Sequence, residues 1–99
     1  MQLAKLRALQ RFCLAGNNLY GQIPSEIGDL SQSIELRLDR NQLNGSIPLN
    51  LRNLHSLDII LDLSQNFLLG KIPSSLGKLQ FPTAMNLSHN NLITQGVSI

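Results

Sequence analysis

"SIELRLDRNQLNGSIP", Ser33–Pro48, carries two rhythms that no single helix accommodates. Leu36 and Leu38 alternate with Glu35, Arg37 and Asp39, the period-two pattern of a strand with one buried face. Asn41, Leu43, Gly45, Ile47 and Pro48 then follow at spacings that recur elsewhere in the chain. The stretches "LQRFCLAGNNLYGQIP", Leu9–Pro24, and "ILDLSQNFLLGKIP", Ile60–Pro73, repeat the same letters in the same order. Asn17, Asn41, Asn66 and Asn90 are separated by 24, 25 and 24 residues. Leu14, Leu38, Leu63 and Leu87 stand three positions before them, and Phe12, Leu36, Leu61 and Met85 five before. Leu19, Leu43, Leu68 and Leu92 follow two positions after. Leu3, Ile27, Leu51 and Leu76 form a further column, as do Leu6, Leu30, Leu54 and Leu79. A period of this length marks a solenoid, in which stacked units bury a core that no single unit can bury alone.

The repeat also settles the meaning of "LLGKIPSSLGKL", Leu68–Leu79, whose two Gly-Lys pairs suggest a phosphate-binding loop. Such a loop needs G-x-x-x-x-G-K-[ST], so that backbone N–H groups cradle phosphate and a hydroxyl holds the metal. Ile72 follows Lys71, Leu79 follows Lys78, and Gln65 stands where the first glycine belongs. Gly21, Gly45 and Gly70 recur, each followed by x-Ile-Pro, whereas Lys71 is replaced by Gln22 and Ser46 in the earlier units. The unit is therefore Gly-x-Ile-Pro, and the lysine is a variable surface residue.

These columns, L-x-x-L-x-L-x-x-N-x-L-x-G-x-I-P, resemble the plant-type leucine-rich repeat over nearly the whole chain. The resemblance implies an α/β leucine-rich-repeat solenoid. Its horseshoe carries a parallel β-sheet on the concave face and short 3-10 or irregular segments on the convex side. The repeats are expected at about 3–26, 27–50, 51–75 and 76–99, three and a half units without caps. The family implies a non-enzymatic recognition module, part of the ectodomain of a plant receptor-like kinase or receptor-like protein. Its partners would be a protein or peptide ligand, or a co-receptor, in signal transduction at the extracellular side of the plasma membrane or in a secreted parent. An enzyme inhibitor resembling the polygalacturonase-inhibiting proteins and an inactive truncated remnant stay open as alternatives.

Each position has a physical reading of its own. The ladder asparagines Asn17, Asn41, Asn66 and Asn90 end their strands, where an amide can bond backbone groups of its own and the neighbouring turn. Ile23, Ile47 and Ile72 precede proline and are expected to be extended. The prolines are then expected at the first position of a short helical turn. Gly28 and Gly77 are expected to end that turn in a left-handed conformation, with a different ending where Arg52 takes their place. Ser33 and Pro82 interrupt a core column held by Leu9 and Leu57, which predicts that Ile34 rotates inward beside Ser33. The extra residue near "SLDIILDL" predicts a bulge. After Leu92 the pattern decays, with Thr94 in place of glycine.

The candidate binding face consists of outward strand residues. Cys13, Arg37, Asp62 and Asn86 form its central row; Arg11, Glu35, Asp39, Arg40, Gln65 and His89 flank it. Parallel stacking sets successive residues of a row about 4.8 Å apart, which predicts an Arg37–Asp62 ion pair. Asn44 in "NGS" and Asn86 in "NLS" match the N-glycosylation signal, and Asn44 is expected to lie in a surface turn.

Other chemistries find little footing. Net charge is +2, too mixed for a nucleic-acid stripe. No apolar run is long enough to span a membrane, and Lys5, Arg7 and Arg11 interrupt any secretory signal near the N-terminus. His55 and His89 are far apart in the repeat, and neighbouring Ser88 and His89 point to opposite sides of an extended chain. One cysteine and no histidine cluster offer no metal site, and no cofactor is expected. Cys13 has no partner for an internal disulfide. Open ends of the stack predict self-association of the isolated chain.

Overall fold

The computed structural model describes residues 10–30, 32–54, 57, 60–74, 76, 84–94 and 97–98 of the 99-residue chain. Leu3, Leu6, Leu9, His55, Gly77, Pro82 and the expected bulge around Asp58 and Ile59 lie outside these residues.

Each L-x-L segment forms a three-residue strand: β1 Arg11–Cys13, β3 Glu35–Arg37, β5 Ile60–Asp62 and β7 Ala84–Asn86. These four make one parallel sheet in chain order. Phe12, Leu36, Leu61 and Met85 share one row of the register, and Cys13, Arg37, Asp62 and Asn86 share the next. Leu36 lies opposite Leu61, so the sheet keeps its register despite the longer third unit. The inward side chains Phe12, Leu36 and Leu61 are buried, while Met85 on the last rung is 39% exposed. Leu38 and Leu63, Leu43, Leu68 and Leu92, Ile27, Leu51 and Leu76, Leu30 and Leu54, and Ile23, Ile47 and Leu57 join them in the core cluster. Fully burying one such side chain is worth about 1.5–3 kcal/mol, so the stack gains most from its interior rungs.

A second strip of strands runs beside the first. Of its residues, the sequence pattern placed Asn44 in a surface turn, whereas it ends a strand here. β2 Tyr20–Gln22 pairs in parallel with β4 Gln42–Asn44, and β6 Leu69–Lys71 with β8 Asn91–Thr94. Between the two pairs, Phe67 N–H donates to Leu43 O (2.8 Å) and Leu69 N–H to Gly45 O (3.0 Å). The strip bends at Gly21, Gly45 and Gly70, with φ of +89°, +74° and +85°. Glycine enters this region without the Cβ clash that other residues meet, which gives the recurring glycine its reason. Where Thr94 replaces it, the chain turns back instead: β9 Val97–Ser98 pairs antiparallel with β8 and occupies the outer edge of the strip.

Short 3-10 turns at Ser25–Asp29 and Leu49–Asn53 lie after the Ile-Pro segments. Pro24 and Pro48 cap these turns and do not open them as first helical residues. Both have extended dihedrals, and their carbonyls accept the N–H groups of Ile27 (3.0 Å) and Leu51 (3.2 Å). Gly28 departs from expectation as well. It is not left-handed, and both turns end alike at Leu30 and Leu54 although Arg52 replaces the glycine in the second. The glycine is needed for contact: a Cβ on Gly28 would meet Asn50 O at 2.6 Å and Asn50 Cβ at 2.8 Å. Ser33 is buried, with its hydroxyl donating to Glu35 O (3.0 Å). Ile34 stays half-buried, held by its N–H to Gln10 O.

Among the described residues, Asn41, Asn66 and Asn90 tie adjacent rungs, whereas the Asn17 side chain bonds within its own turn, to Ala15 O. Asn41 Oδ1 accepts the N–H groups of Asn17 and Leu19, both at 2.9 Å, and its Nδ2 donates to Leu14 O and Leu38 O at 3.0 Å. Asn66 accepts from Leu43 N–H (3.0 Å) and donates to Leu38 O (3.0 Å) and Leu63 O (3.2 Å). Asn90 repeats this pattern with Leu68 N–H and Leu63 O, each at 3.0 Å.

Candidate functional site

The concave sheet presents two outward rows. Arg11, Glu35, Ile60 and Ala84 form one; Cys13, Arg37, Asp62 and Asn86 form the other. Backbone bonds continue the stack past the strands, from Gly16 N–H to Asp39 O, Arg40 N–H to Ser64 O and Gln65 N–H to Ser88 O, each 3.0 Å. Arg40, Gln65 and His89 are therefore turn residues. All three are exposed and left-handed, with φ of +57°, +56° and +56°. Gly16 holds the same place in the first unit, with φ +70°.

The Arg37–Asp62 pair does not form. Arg37 turns to Asp39 on its own rung, with Nε 3.2 Å from Oδ1 and Nη2 3.3 Å from Oδ2. Arg40 Nε reaches the same carboxylate at 3.2 Å. Asp62 is engaged locally instead: Oδ1 accepts the Ser64 N–H (3.0 Å) and hydroxyl (2.7 Å). Asn86 repeats that arrangement with Ser88, at 3.0 and 2.7 Å. The Ser88 hydroxyl is thus bonded to Asn86. Arg37, Asp62 and Asn86 each bond the residue two positions on, because both point to the same side of an extended chain. Ser64 and Ser88 were absent from the sequence-based face, although D-x-S and N-x-S at strand ends are a readable signal for such local bonds.

Asp39 is only 3% exposed. Burial pushes its carboxyl up, but hydrogen bonds from Arg37 and Arg40 outweigh this and hold it below the ordinary carboxylate value of 3.8. The hydrogen bond to Asp39 and its negative charge raise Arg37 in turn. Two arginines on one carboxylate leave the cluster with one net positive charge and guanidinium donors free of Asp39, since each guanidinium carries five N–H groups. A depressed carboxyl adds stability that is present above its unfolded value and is lost as pH falls through the folded one. The stability difference between wild type and Asp39→Asn is therefore expected to shrink as pH falls from about 5 to about 2. Urea unfolding across that range checks it; a constant difference contradicts it.

Cys13 is an exposed free thiol. Among the described residues no group of three or more His, Cys, Asp or Glu could hold a metal ion, and no helix is long and apolar enough to cross a membrane. An open cleft of about 360 Å³ lies against Met85, Asn86, Leu87 and Ser88 on the last rung. A feature not foreseen from sequence lies on the second strip, where Phe67 (59%), Leu69 (52%) and Ile93 (38%) are exposed. Alternation of Phe67 and Leu69 around buried Leu68 is the signal that marks it.

Parallel strands stacked in chain order, joined by asparagine ladders and backed by short 3-10 turns, define a repeat solenoid with an open parallel sheet on its concave face. The Leucine Rich Repeat profile matches residues 8–30, 34–54 and 59–79, and the chain belongs to this family. Receptor-like protein 32 of Arabidopsis thaliana is 46% identical over 84% of the chain. The chain spans 9% of that relative, and less than a tenth of comparable receptor-like proteins and kinases. A plant peptide hormone receptor, RGFR1, solved in complex with RGF2, superposes with a TM-score of 0.88 at 38% identity, covering 91% of this chain and 14% of that one. A plant ice-binding protein superposes at 0.85 with 40% identity, covering 91% of this chain and 29% of that one. One scaffold serves unlike ligands, so function rests on the surface residues.

Proposed function

We propose that this chain is a stretch of a plant cell-surface receptor ectodomain, on the extracellular side of the membrane, whose concave strip contacts a peptide or protein. The observation that carries this is the Arg37–Asp39–Arg40 cluster, a positively charged donor group fixed by a buried carboxylate on an open parallel sheet. Fixing the arginines before contact lowers the ordering cost of binding. Guanidinium donors beyond those given to Asp39 suit carbonyl and carboxylate oxygens of an extended peptide. Receptor-like proteins among the relatives and a hormone-bound receptor among the structural neighbours support the reading.

The test is selection from a displayed random-peptide library on the immobilised chain. Peptides enriched on wild type are expected to lose about tenfold in affinity, about 1.4 kcal/mol, on Arg37→Glu. Lys71→Glu, at the end of β6 on the second strip, is expected to be neutral. The doubly reversed Arg37→Glu/Asp62→Arg chain is expected to stay weak, because the native partner of Arg37 is Asp39. Equal binding by wild type, Arg37→Glu and Lys71→Glu would remove the concave strip from the ligand site.

A further inference from the structure

We propose that Asn44 carries an N-linked glycan whose first sugar lies over Phe67 and Leu69, so that the exposed apolar patch of the second strip is a seat for carbohydrate. The proposal rests on the reading of the chain as extracellular. Asn44-Gly45-Ser46 is an acceptor signal, and both Asn44 and Ser46 are exposed. Asn44 is not in a turn: it ends β4, within the second strip. Hydrogen bonds from Phe67 N–H to Leu43 O and from Leu69 N–H to Gly45 O set the Phe67–Leu69 segment beside the Leu43–Ser46 segment that carries the acceptor signal. Neighbouring strands lie about 4.8 Å apart, within reach of a sugar ring attached to the amide.

The chemistry of the patch fits this occupant. Phe67 stands in a column otherwise held by Asn18, Gln42 and Asn91, so the aromatic ring appears only on the rung beside the acceptor. The negative face of an aromatic ring attracts the polarised C–H groups on the apolar side of a pyranose. Covering Phe67 and Leu69 also removes apolar surface from water. Gly70 adds room: a Cβ there would meet only the Ser46 Cβ, at 3.9 Å. Asn86 differs in each respect. Its Oδ1 is bonded to Ser88, and its lateral neighbour in β5 is Asp62.

The chain, fused to a secretion leader and carrying Asn86→Gln, is expressed in plant cells so that a single acceptor remains. Peptide mapping before and after deglycosylation is expected to show Asn44 modified. After trimming to one N-acetylglucosamine, its protons are expected to show upfield ring-current shifts that vanish in Phe67→Ser. The glycosylated chain is expected to melt about 4 °C above the deglycosylated one, a gap lost in the same variant. The ring-current readout does not depend on stability, and Phe67 is exposed, so its loss leaves the core intact. An unmodified Asn44 in the secreted chain, or unshifted sugar protons, overturns the proposal. A Phe67-dependent dimer in place of the sugar contact overturns it too. Because the leader forces secretion, these failures leave the peptide-binding reading to its own test.

Discussion

Asn66→Ala is expected to destabilise the chain by about 3–5 kcal/mol, most of the margin of a small domain. The Asn66 amide is 6% exposed and sits between rungs. Its Oδ1 accepts the Leu43 N–H, and its Nδ2 is shared by the carbonyls of Leu38, Leu63 and Ser64. Alanine leaves the Leu43 N–H without this acceptor and strips a donor from buried carbonyls; each buried group left unpaired costs about 1–3 kcal/mol. Asn17→Ala is the matched control: among the described residues exposed Asn17 Nδ2 donates to Ala15 O alone, at 3.1 Å, and its loss is expected to cost less than about 1 kcal/mol. Asn66→Asp sharpens the test. It keeps the shape but turns an acceptor oxygen toward three carbonyls, so it is expected to be at least as damaging as alanine. Urea unfolding of the three variants reads this out. Equal losses at Asn17 and Asn66, or a tolerated aspartate, would show that the amide does not hold the rungs together.

Gly28→Ala is expected to cost about 1–3 kcal/mol by overpacking. The added methyl would lie 2.6 Å from the Asn50 carbonyl oxygen, a backbone atom of the next rung that cannot move without shifting the second 3-10 turn. Asn50→Gly is therefore expected not to rescue it, since the oxygen remains. Gly21→Ala gives a contrast. Its Cβ would meet nothing within 4 Å, so its cost of about 1 kcal/mol is that of the left-handed backbone alone. A Gly28→Ala chain as stable as wild type, or a full rescue by Asn50→Gly, would refute the contact.

The repeat itself was legible in the sequence: strand positions, parallel stacking, the inward leucine columns and the asparagines as rung-to-rung bonds. A spacing of 24 or 25 residues repeated across the chain leaves few other ways to bury Leu36, Leu61 and their equivalents. Identical units impose the same backbone conformation on one another, so each column reports its environment several times over. Outward residues have no such averaging. Whether Arg37 turns to Asp62 or to Asp39 depends on side-chain reach, and a period gives no distances. Arg37 bonds Asp39, which Arg40 also reaches, while the Asp62 carboxylate is taken by the Ser64 N–H and hydroxyl. The same limit explains the second strip. Gly45 and Gly70 mark a bend, but only the stacked neighbours show that the segments holding Asn44 and Phe67 are hydrogen-bonded side by side. Gly28 is the clearest case. As a letter near a turn it signals a left-handed cap, whereas in the folded stack it is the space that the Asn50 carbonyl fills. Sequence determined what repeats and what is buried; tertiary structure alone decided which neighbours meet, because contacts between rungs join residues that are far apart in the chain.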